Sequence, residues 1–346
     1  MILRILLTGG CGFIGSHTVR QALQREDVEK VVNLDSLTYS GHPGNLRDVG
    51  GDGRYRFAHG SINDREVVMG LMEEEEIEVV IHLAAESHVD RSIDSVVEFV
   101  KTNVDGTRTL LECSRDMNRG DGQISFIHIS TDEVYGSLES DEPPFNEETP
   151  LDPRNPYAAT KAASDMLVRA FVNTYGMRAC ITRCSNNYGP NQFPEKLIPL
   201  MTLNALEGER LPVYGDGAQI RDWIHVSDHS SGILATMDGL LDGRLSPGEV
   251  VNFGAGNEMK NIDIVRSIIH LTGASEDQIE FVDDRPGHDR RYAMGFEKAH
   301  RVLGWSPTID WTSGISQTVN WYNNNVEWVS SVKSGEYMDW VSKHYG

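Results

Sequence analysis

Thr8-Gly9-Gly10-Cys11-Gly12-Phe13-Ile14-Gly15 joins an apolar run, Ile2 to Thr8, to a stretch with helical spacing, Ile14 to Gln24. Glycines at 9, 12 and 15 permit a tight strand-to-helix turn, close approach of a pyrophosphate, and close packing of helix on sheet. The helix N-terminus offers N–H groups to the anion. The spacing is Gly-x-x-Gly-x-x-Gly, and glycines so spaced elsewhere would mark no more than a turn. Working outward, Asp35 ends the next apolar run, 20 residues beyond Gly15. A carboxylate there binds both ribose hydroxyls and repels a 2′-phosphate, so NAD is expected over NADP. Asp-Ser also suits a turn, and that alternative stays open. Leu83-Ala84-Ala85 is small and apolar, which leaves room for a dinucleotide along the carboxyl edge of a sheet.

The alternation continues through the first half of the chain. Strands are predicted at Ile2–Thr8, Val31–Leu34, Tyr55–Ala58, Val79–Leu83, Ile124–Ile129 and Ala179–Arg183, several apolar almost throughout, as in a parallel sheet covered on both faces. Helical spacing runs over Ile14–Gln24, Asp64–Glu75, Ser92–Cys113 and Tyr157–Tyr175. The expected class is α/β, a Rossmann-type doubly wound parallel sheet with a smaller mixed C-terminal lobe. Residues 1–186 are read as the dinucleotide-binding domain and 187–346 as an interleaved substrate lobe. A segment near 222–256, ending in the strand-like Val250-Val251-Asn252-Phe253-Gly254, returns to the main sheet. Ser137 to Pro156, rich in proline and acid, reads as an irregular excursion.

Composition narrows the partners. The net charge of −21 repels phosphodiester backbones and argues against nucleic acid, so any anionic ligand needs a local basic cluster. No apolar run is long enough for a membrane span. The N-terminus runs straight into a strand and the glycine turn, from which a cytoplasmic location is expected. Cys11, Cys113, Cys180 and Cys184 lack metal-site or disulfide spacing, and His82, His88, His128 and His225 lack ligand spacing; no metal is expected.

Tyr157 and Lys161 stand one helical turn apart, where an ammonium and an oxidised nicotinamide favour the phenolate of a base acting on a hydroxyl. Ahead of them, Ser130-Thr131-Asp132-Glu133-Val134-Tyr135-Gly136 carries two adjacent carboxylates. Such surplus acid chemistry suggests elimination of water. Consecutive strand residues face opposite ways, so both acids reach one substrate only if the chain has left the strand. Ser130-x-x-Glu133 also fits a capping box, in which Glu133 bonds back to a helix start. Arg285, Arg290 and Arg291, with Arg221, are candidates for a diphosphate, against the alternative of surface pairing with Asp283, Asp284 and Asp289.

These motifs, together with Leu83-Ala84-Ala85-Glu86-Ser87-His88-Val89-Asp90, Asn186-Asn187-Tyr188-Gly189-Pro190 and Arg285 to Tyr292, resemble the extended short-chain dehydrogenase/reductases. Within them the chain most closely resembles the dTDP-glucose 4,6-dehydratases, over nearly its whole length. UDP-glucose 4,6-dehydratases, and less closely 4-epimerases or decarboxylases of the same superfamily, are the alternatives, and thymine against uracil is not decided by sequence. The resemblance implies that Tyr157 removes the glucose 4-hydroxyl proton as hydride passes from C4 to NAD. Glu133 then takes the C5 proton, Asp132 protonates the departing 6-hydroxyl, and hydride returns to C6. Thr131 would hold the 4-hydroxyl and Lys161 the nicotinamide ribose.

The resemblance also places Phe13, Ile14, Asp35, Ser36, Leu37, Thr38, Ser61, Ile62, Ser87, Thr102 and Asn187 along NAD. Around the nucleotide sugar it places Ser87, Asn186, Lys196, Leu197, Pro212, Val213, Tyr214, Arg221, Asn257, Arg285, His288 and Tyr292. It implies a homodimer built by pairing the 92–113 and 157–175 helices into a four-helix bundle. Three departures stand out: Ser61 in place of the usual aspartate near the adenine, a longer loop at Gly41-His42-Pro43-Gly44, and Cys11 for a commoner alanine.

Overall fold

The computed structural model describes residues 2–118, 123–284 and 288–333. In chain order the strands are β1 (Leu3–Thr8), β2 (Val28–Asp35), β3 (Tyr55–His59), β4 (Val79–His82), β5 (Ser125–Thr131), β6 (Arg178–Cys184), β7 (Asn186–Tyr188), β8 (Leu211–Tyr214), β9 (Ile220–His225), β10 (Val250–Phe253), β11 (Glu258–Lys260) and β12 (Ile279–Val282). The helices are α1 (Phe13–Leu23), α2 (Arg65–Glu74), α3 (Val89–Asp94), α4 (Val97–Phe99), α5 (Thr107–Met117), α6 (Pro156–Tyr175), α7 (Leu197–Glu207), α8 (Val226–Asp242), α9 (Asn261–Thr272), α10 (Trp311–Asn324) and α11 (Val326–Val332).

Seven parallel strands run in the order β3-β2-β1-β4-β5-β6-β10. The chain winds one way from β1 to β2 and β3, then crosses back to β4. A crevice therefore opens beyond the carboxyl ends of β1 and β4, the place where doubly wound sheets bind ligands. Alternation along the strands builds a core on each face. Leu7, Ile81 and Ile127 pack with Ile233 and Met237 of α8, and α1 covers the same face. Their neighbours Leu6, Val80 and Phe126 pack with Val68, Leu110 and Val168 of α2, α5 and α6. Residues this apolar on both faces fit only a doubly covered sheet.

After β6 the chain leaves the large sheet, returns through α8 and β10, and leaves again. Two small sheets, β11-β9-β7 and β12-β8, hold the remainder. Tyr188, Trp223, Ile198, Ile264 and Ile315 form their core, with α7, α9 and α10 around it. No helix among the described residues is long and apolar enough to cross a membrane.

Residues 92–113 depart from the single helix that their periodicity predicts. Ser95 is extended (φ −152°, ψ 115°), and Val100–Gly106 is a π-helical segment. The reason is tertiary. The Asn103 side chain accepts from Glu86 N (2.9 Å) and donates to Glu86 O (3.0 Å) and Thr160 Oγ1 (2.9 Å). Bonds to a loop and a neighbouring helix outweigh local helical regularity, a frequent origin of π-segments near functional sites.

Candidate active site

At the β1 end of the crevice, Gly9 has φ 75°, and a Cβ there would stand 2.8 Å from the Ala84 backbone. At Gly15 a Cβ would run into the Gly9 carbonyl. Only glycine lets strand, turn and helix close up here. Gly12 caps α1 with no side-chain bond, leaving that helix end open to an anion. Asp35 ends β2, and its two oxygens accept from Cys11 N (2.9 Å) and Leu37 N (2.8 Å). It thus steadies the turn, as the turn reading expects, and it also lines the crevice.

One cavity of about 430 Å³ runs from this turn across the carboxyl edge of the sheet into the smaller lobe. Gly9, Gly12, Phe13, Ile14, Gly15, Asp35, Ser36, Thr38, Ser61, Ile62, Leu83, Ala84, Ala85, Ser87, Thr102 and Asn187 all lie on its wall. Leu37 does not; it packs toward the core with φ 51°. Ser61 accepts from Asn63 N (3.2 Å), and Gly41 of the longer loop joins the wall. His42 ties that loop to the glycine turn through Cys11 O (3.0 Å). Burial holds the Cys11 thiol up at about 12. A glycine turn, an open helix end and an anchored acid at the end of β2 on one wall fit NAD.

Midway along the cavity the chemistry gathers. β5 ends at Thr131, and the chain turns at once into a short 3-10 helix, Asp132–Tyr135. That turn brings Asp132 and Glu133 onto the same wall as Thr131, Tyr157 and Lys161. The cap is Thr131, whose hydroxyl accepts from Glu133 N (3.3 Å) and donates to Asp132 Oδ1 (3.2 Å). Glu133 does not bond back to a helix start; its Oε2 accepts from Asn155 Nδ2 (2.8 Å). Tyr157 and Lys161 come from α6, with Lys161 Nζ donating to Ile129 O (2.7 Å). The Tyr157 ring meets Phe99 edge-on at 6.4 Å.

Burial sets the proton inventory. It pushes the Asp132 carboxyl up to about 8, helped next by the negative charge of Glu133. Asp132 Oδ2 has no hydrogen-bond partner among the described residues. Burial brings the Lys161 ammonium down to about 8, against the pull of Asp165. It drives the Tyr157 phenol well above its usual range, with Glu133 adding to the effect and Thr131 opposing it. Two neighbouring carboxyl groups thus stand in unlike settings: Asp132 buried, with its carboxyl pushed up by that burial, and Glu133 half-exposed and bonded to an amide donor. Beneath them lies a buried ion pair, Asp165 with Arg183 (2.8 Å).

At the far end, Lys196, Leu197, Pro212, Val213, Tyr214, Arg221, Asn186 and His288 line the wall. Lys196 Nζ donates to Ser87 O (3.1 Å), and Arg221 Nη2 donates to Asp289 O (2.9 Å) while lying over the Tyr292 ring. Asn257 and Tyr292 are off the wall: Asn257 is spent on Trp223 O (3.1 Å), and Tyr292 is buried with its hydroxyl on Asp289. Arg285 lies outside the described residues. Arg290 and Arg291 take the pairing alternative, but with acids other than those expected: Asp216 (3.0 Å) and Glu258 (2.7 Å). Among the described residues no group of His, Cys, Asp or Glu is arranged to hold a metal ion. Sequence reasoning passed over Asn155, readable only as a helix cap before Pro156. It also passed over Glu86 and Glu195 on the cavity wall; the burial of Glu195 against Arg91 has no local signature.

The family model described as GDP-mannose 4,6 dehydratase matches residues 6–318. "dTDP-glucose 4,6-dehydratase 1" of Escherichia coli (strain K12) is 47% identical over 99% of both chains. The chain belongs to the dTDP-glucose 4,6-dehydratase family. A crystal structure of DesIV, a dTDP-glucose 4,6-dehydratase from Streptomyces venezuelae with NAD and TYD bound, is 44% identical with a TM-score of 0.89, covering 96% of this chain and all of that one. UDP-glucose 4-epimerase of Thermotoga maritima, with UDP-glucose, matches at 29% identity and a TM-score of 0.84, over 94% of this chain and all of that one. The same scaffold therefore carries a dehydratase and an epimerase. What sets a dTDP-glucose 4,6-dehydratase apart from such an epimerase has to lie in the site and not in the fold.

Proposed function

We propose that this protein converts dTDP-glucose to dTDP-4-keto-6-deoxyglucose, as an NAD-dependent hydro-lyase. The observation that carries this reading is the meeting of Asp132 and Glu133 with Tyr157 on the wall of one cavity. Oxidation and reduction alone need no such pair.

NAD, when bound, takes hydride from C4 of the sugar and gives it back at C6. The glycine turn would hold its pyrophosphate, Asp35 a ribose, and Lys161 the nicotinamide ribose. Tyr157 takes the proton of the 4-hydroxyl, which Thr131 holds. The phenol starts from a high proton affinity, so the positive charges of the nicotinamide and Lys161 must bring it down for this step. A ketone at C4 acidifies C5–H. Glu133 takes that proton, and Asp132 delivers one to the departing 6-hydroxyl as water leaves. When hydride adds at C6 of the resulting enone, Glu133 gives C5 a proton that has exchanged with solvent. Lys196–Leu197 and Pro212–Tyr214 would receive the base, and Arg221 and Arg285 the diphosphate.

The acid role of Asp132 has a sign that can be measured. Below about 8 Asp132 keeps its proton, and as pH rises through that value both Asp132 and Lys161 lose theirs. The pair reports as a joint alkaline limb. Turnover is expected to fall there, whereas a rate still climbing through that range contradicts the assignment.

A homodimer through the helices near 92–113 and 157–175 is part of the proposal. It is supported by exposed apolar side chains on both elements: Ile93, Val96, Val97 and Val100 in the first, and Met166 and Tyr175 on α6. Sedimentation should give twice the chain mass; a monomer at assay concentration rejects it. The proposed location is the cytoplasm, where the four buried thiols stay reduced, and fractionation checks it. Incubation with dTDP-glucose and UDP-glucose, followed by mass analysis, tests the reading as a whole. Loss of one water from dTDP-glucose supports it. Unchanged mass with both rejects dehydration, and unchanged mass with C4 inverted selects an epimerase.

A further inference from the structure

We infer that Asn155 is a positioning residue for the reaction: one amide side chain both starts the helix that carries Tyr157 and Lys161 and aims the carboxylate of Glu133. The inference rests on the reading of Glu133 as the C5 base. Asn155 is the cap of α6, extended at φ −137° and ψ 163°, and its Oδ1 accepts from Ala158 N (2.8 Å). Because Oδ1 is occupied as an acceptor, Nδ2 is the end that faces Glu133, and it donates to Oε2 at 2.8 Å. The amide orientation therefore follows from the cap, without any freedom to flip.

The consequences for Glu133 are geometric. A hydrogen bond to a charged carboxylate is among the stronger kinds, and it fixes one oxygen while leaving the other free to meet a proton. The surrounding chain reinforces the same junction. Asp152 N donates to Val134 O (3.0 Å), so residues 152–155 clip the 132–135 turn at two points. Gly136, at φ 86°, gives the approach its room, since a Cβ there would stand 2.6 Å from Asp152 O. The groups that share charge with Glu133 are Asp132 on its own turn, Tyr157 on α6 and Tyr292 from the segment opposite. None of these donates a hydrogen bond to Glu133 that would replace the amide.

Two substitutions separate positioning from mere capping, because serine and aspartate both cap helices well. Asn155→Ser keeps a cap but is too short to reach Glu133. Asn155→Asp keeps the cap and sets a second carboxylate against the first. Each variant is to be assayed beside wild type for dTDP-glucose turnover, for deuterium uptake at C5 from heavy water, and for melting temperature. The expectation is a melting temperature and KM near wild type, with kcat and C5 exchange reduced roughly tenfold or more in Asn155→Ser. Asn155→Asp should lose more. Wild-type values of kcat and C5 exchange in Asn155→Ser overturn the inference. So does a joint fall of melting temperature, kcat and KM performance in both variants, which would mark Asn155 as a cap alone. If wild type itself incorporates no deuterium at C5 and releases no water, the functional reading fails instead.

Discussion

Glu133→Gln is expected to fold, to bind NAD as wild type does, and to lose turnover by about 10²–10⁴-fold, the range that positioned acid–base groups contribute. The isosteric amide keeps the volume at the turn, and the Asn155 contact can be remade with the amide oxygen as acceptor. Glutamine cannot take the C5 proton. The defect should therefore fall after the first oxidation, so the reduced-nicotinamide absorbance should appear and persist while no water is released. Melting temperature and NAD titration check the fold and the cofactor site, and the absorbance trace checks the step. If Glu133→Gln turns over at a wild-type rate, the carboxylate is not the base.

Tyr157→Phe should produce a loss of similar size at an earlier step. Tyr157 is buried and packs edge-on against Phe99, and phenylalanine preserves that contact. Removing the hydroxyl also spares the cavity a phenol whose proton affinity burial has raised. Structure should thus be retained while C4 oxidation stops, and no reduced-nicotinamide absorbance should build on addition of dTDP-glucose. The contrast between the two variants is the informative part. One halts with the cofactor reduced, the other with it oxidised, and the reverse pattern would exchange the assigned roles.

Most of the fold was legible because its signals are local. Apolar runs such as Val79–His82 announce a sheet covered on both faces, and the Gly9–Gly15 turn followed by Asp35 announces the cofactor end. Where the reading went astray, distant partners had intervened. The helix expected over 92–113 breaks at the extended Ser95, and its later part takes a π form where Asn103 bonds to Glu86 and Thr160, which no window of the sequence contains. Arg290 and Arg291 look ready for a diphosphate in sequence, yet Asp216 and Glu258 neutralise them from other strands and loops. The capping box read at Ser130 to Glu133 fails by a single residue, since Thr131 makes the cap and frees the Glu133 side chain for the cavity.

The acid pair shows the same division. That Asp132 and Glu133 could reach one cavity together was readable from their position just after a strand end. That they differ could not, because the difference comes from burial. Asp132 is 3% exposed, and that burial, with the Glu133 charge next, pushes its carboxyl up against the opposing pull of Arg221 and Thr131. Asn155 stands 22 residues from Glu133, and only the folded chain brings the two together.

The central claim is that two neighbouring acids serve one sugar beside the Tyr157 base. The most direct measurement is the product formed from dTDP-glucose in heavy water, read by mass and by the position of the label. The account predicts loss of one water and a single deuterium at C5. A product of unchanged mass, or one that has lost water with C5 unlabelled, would contradict it.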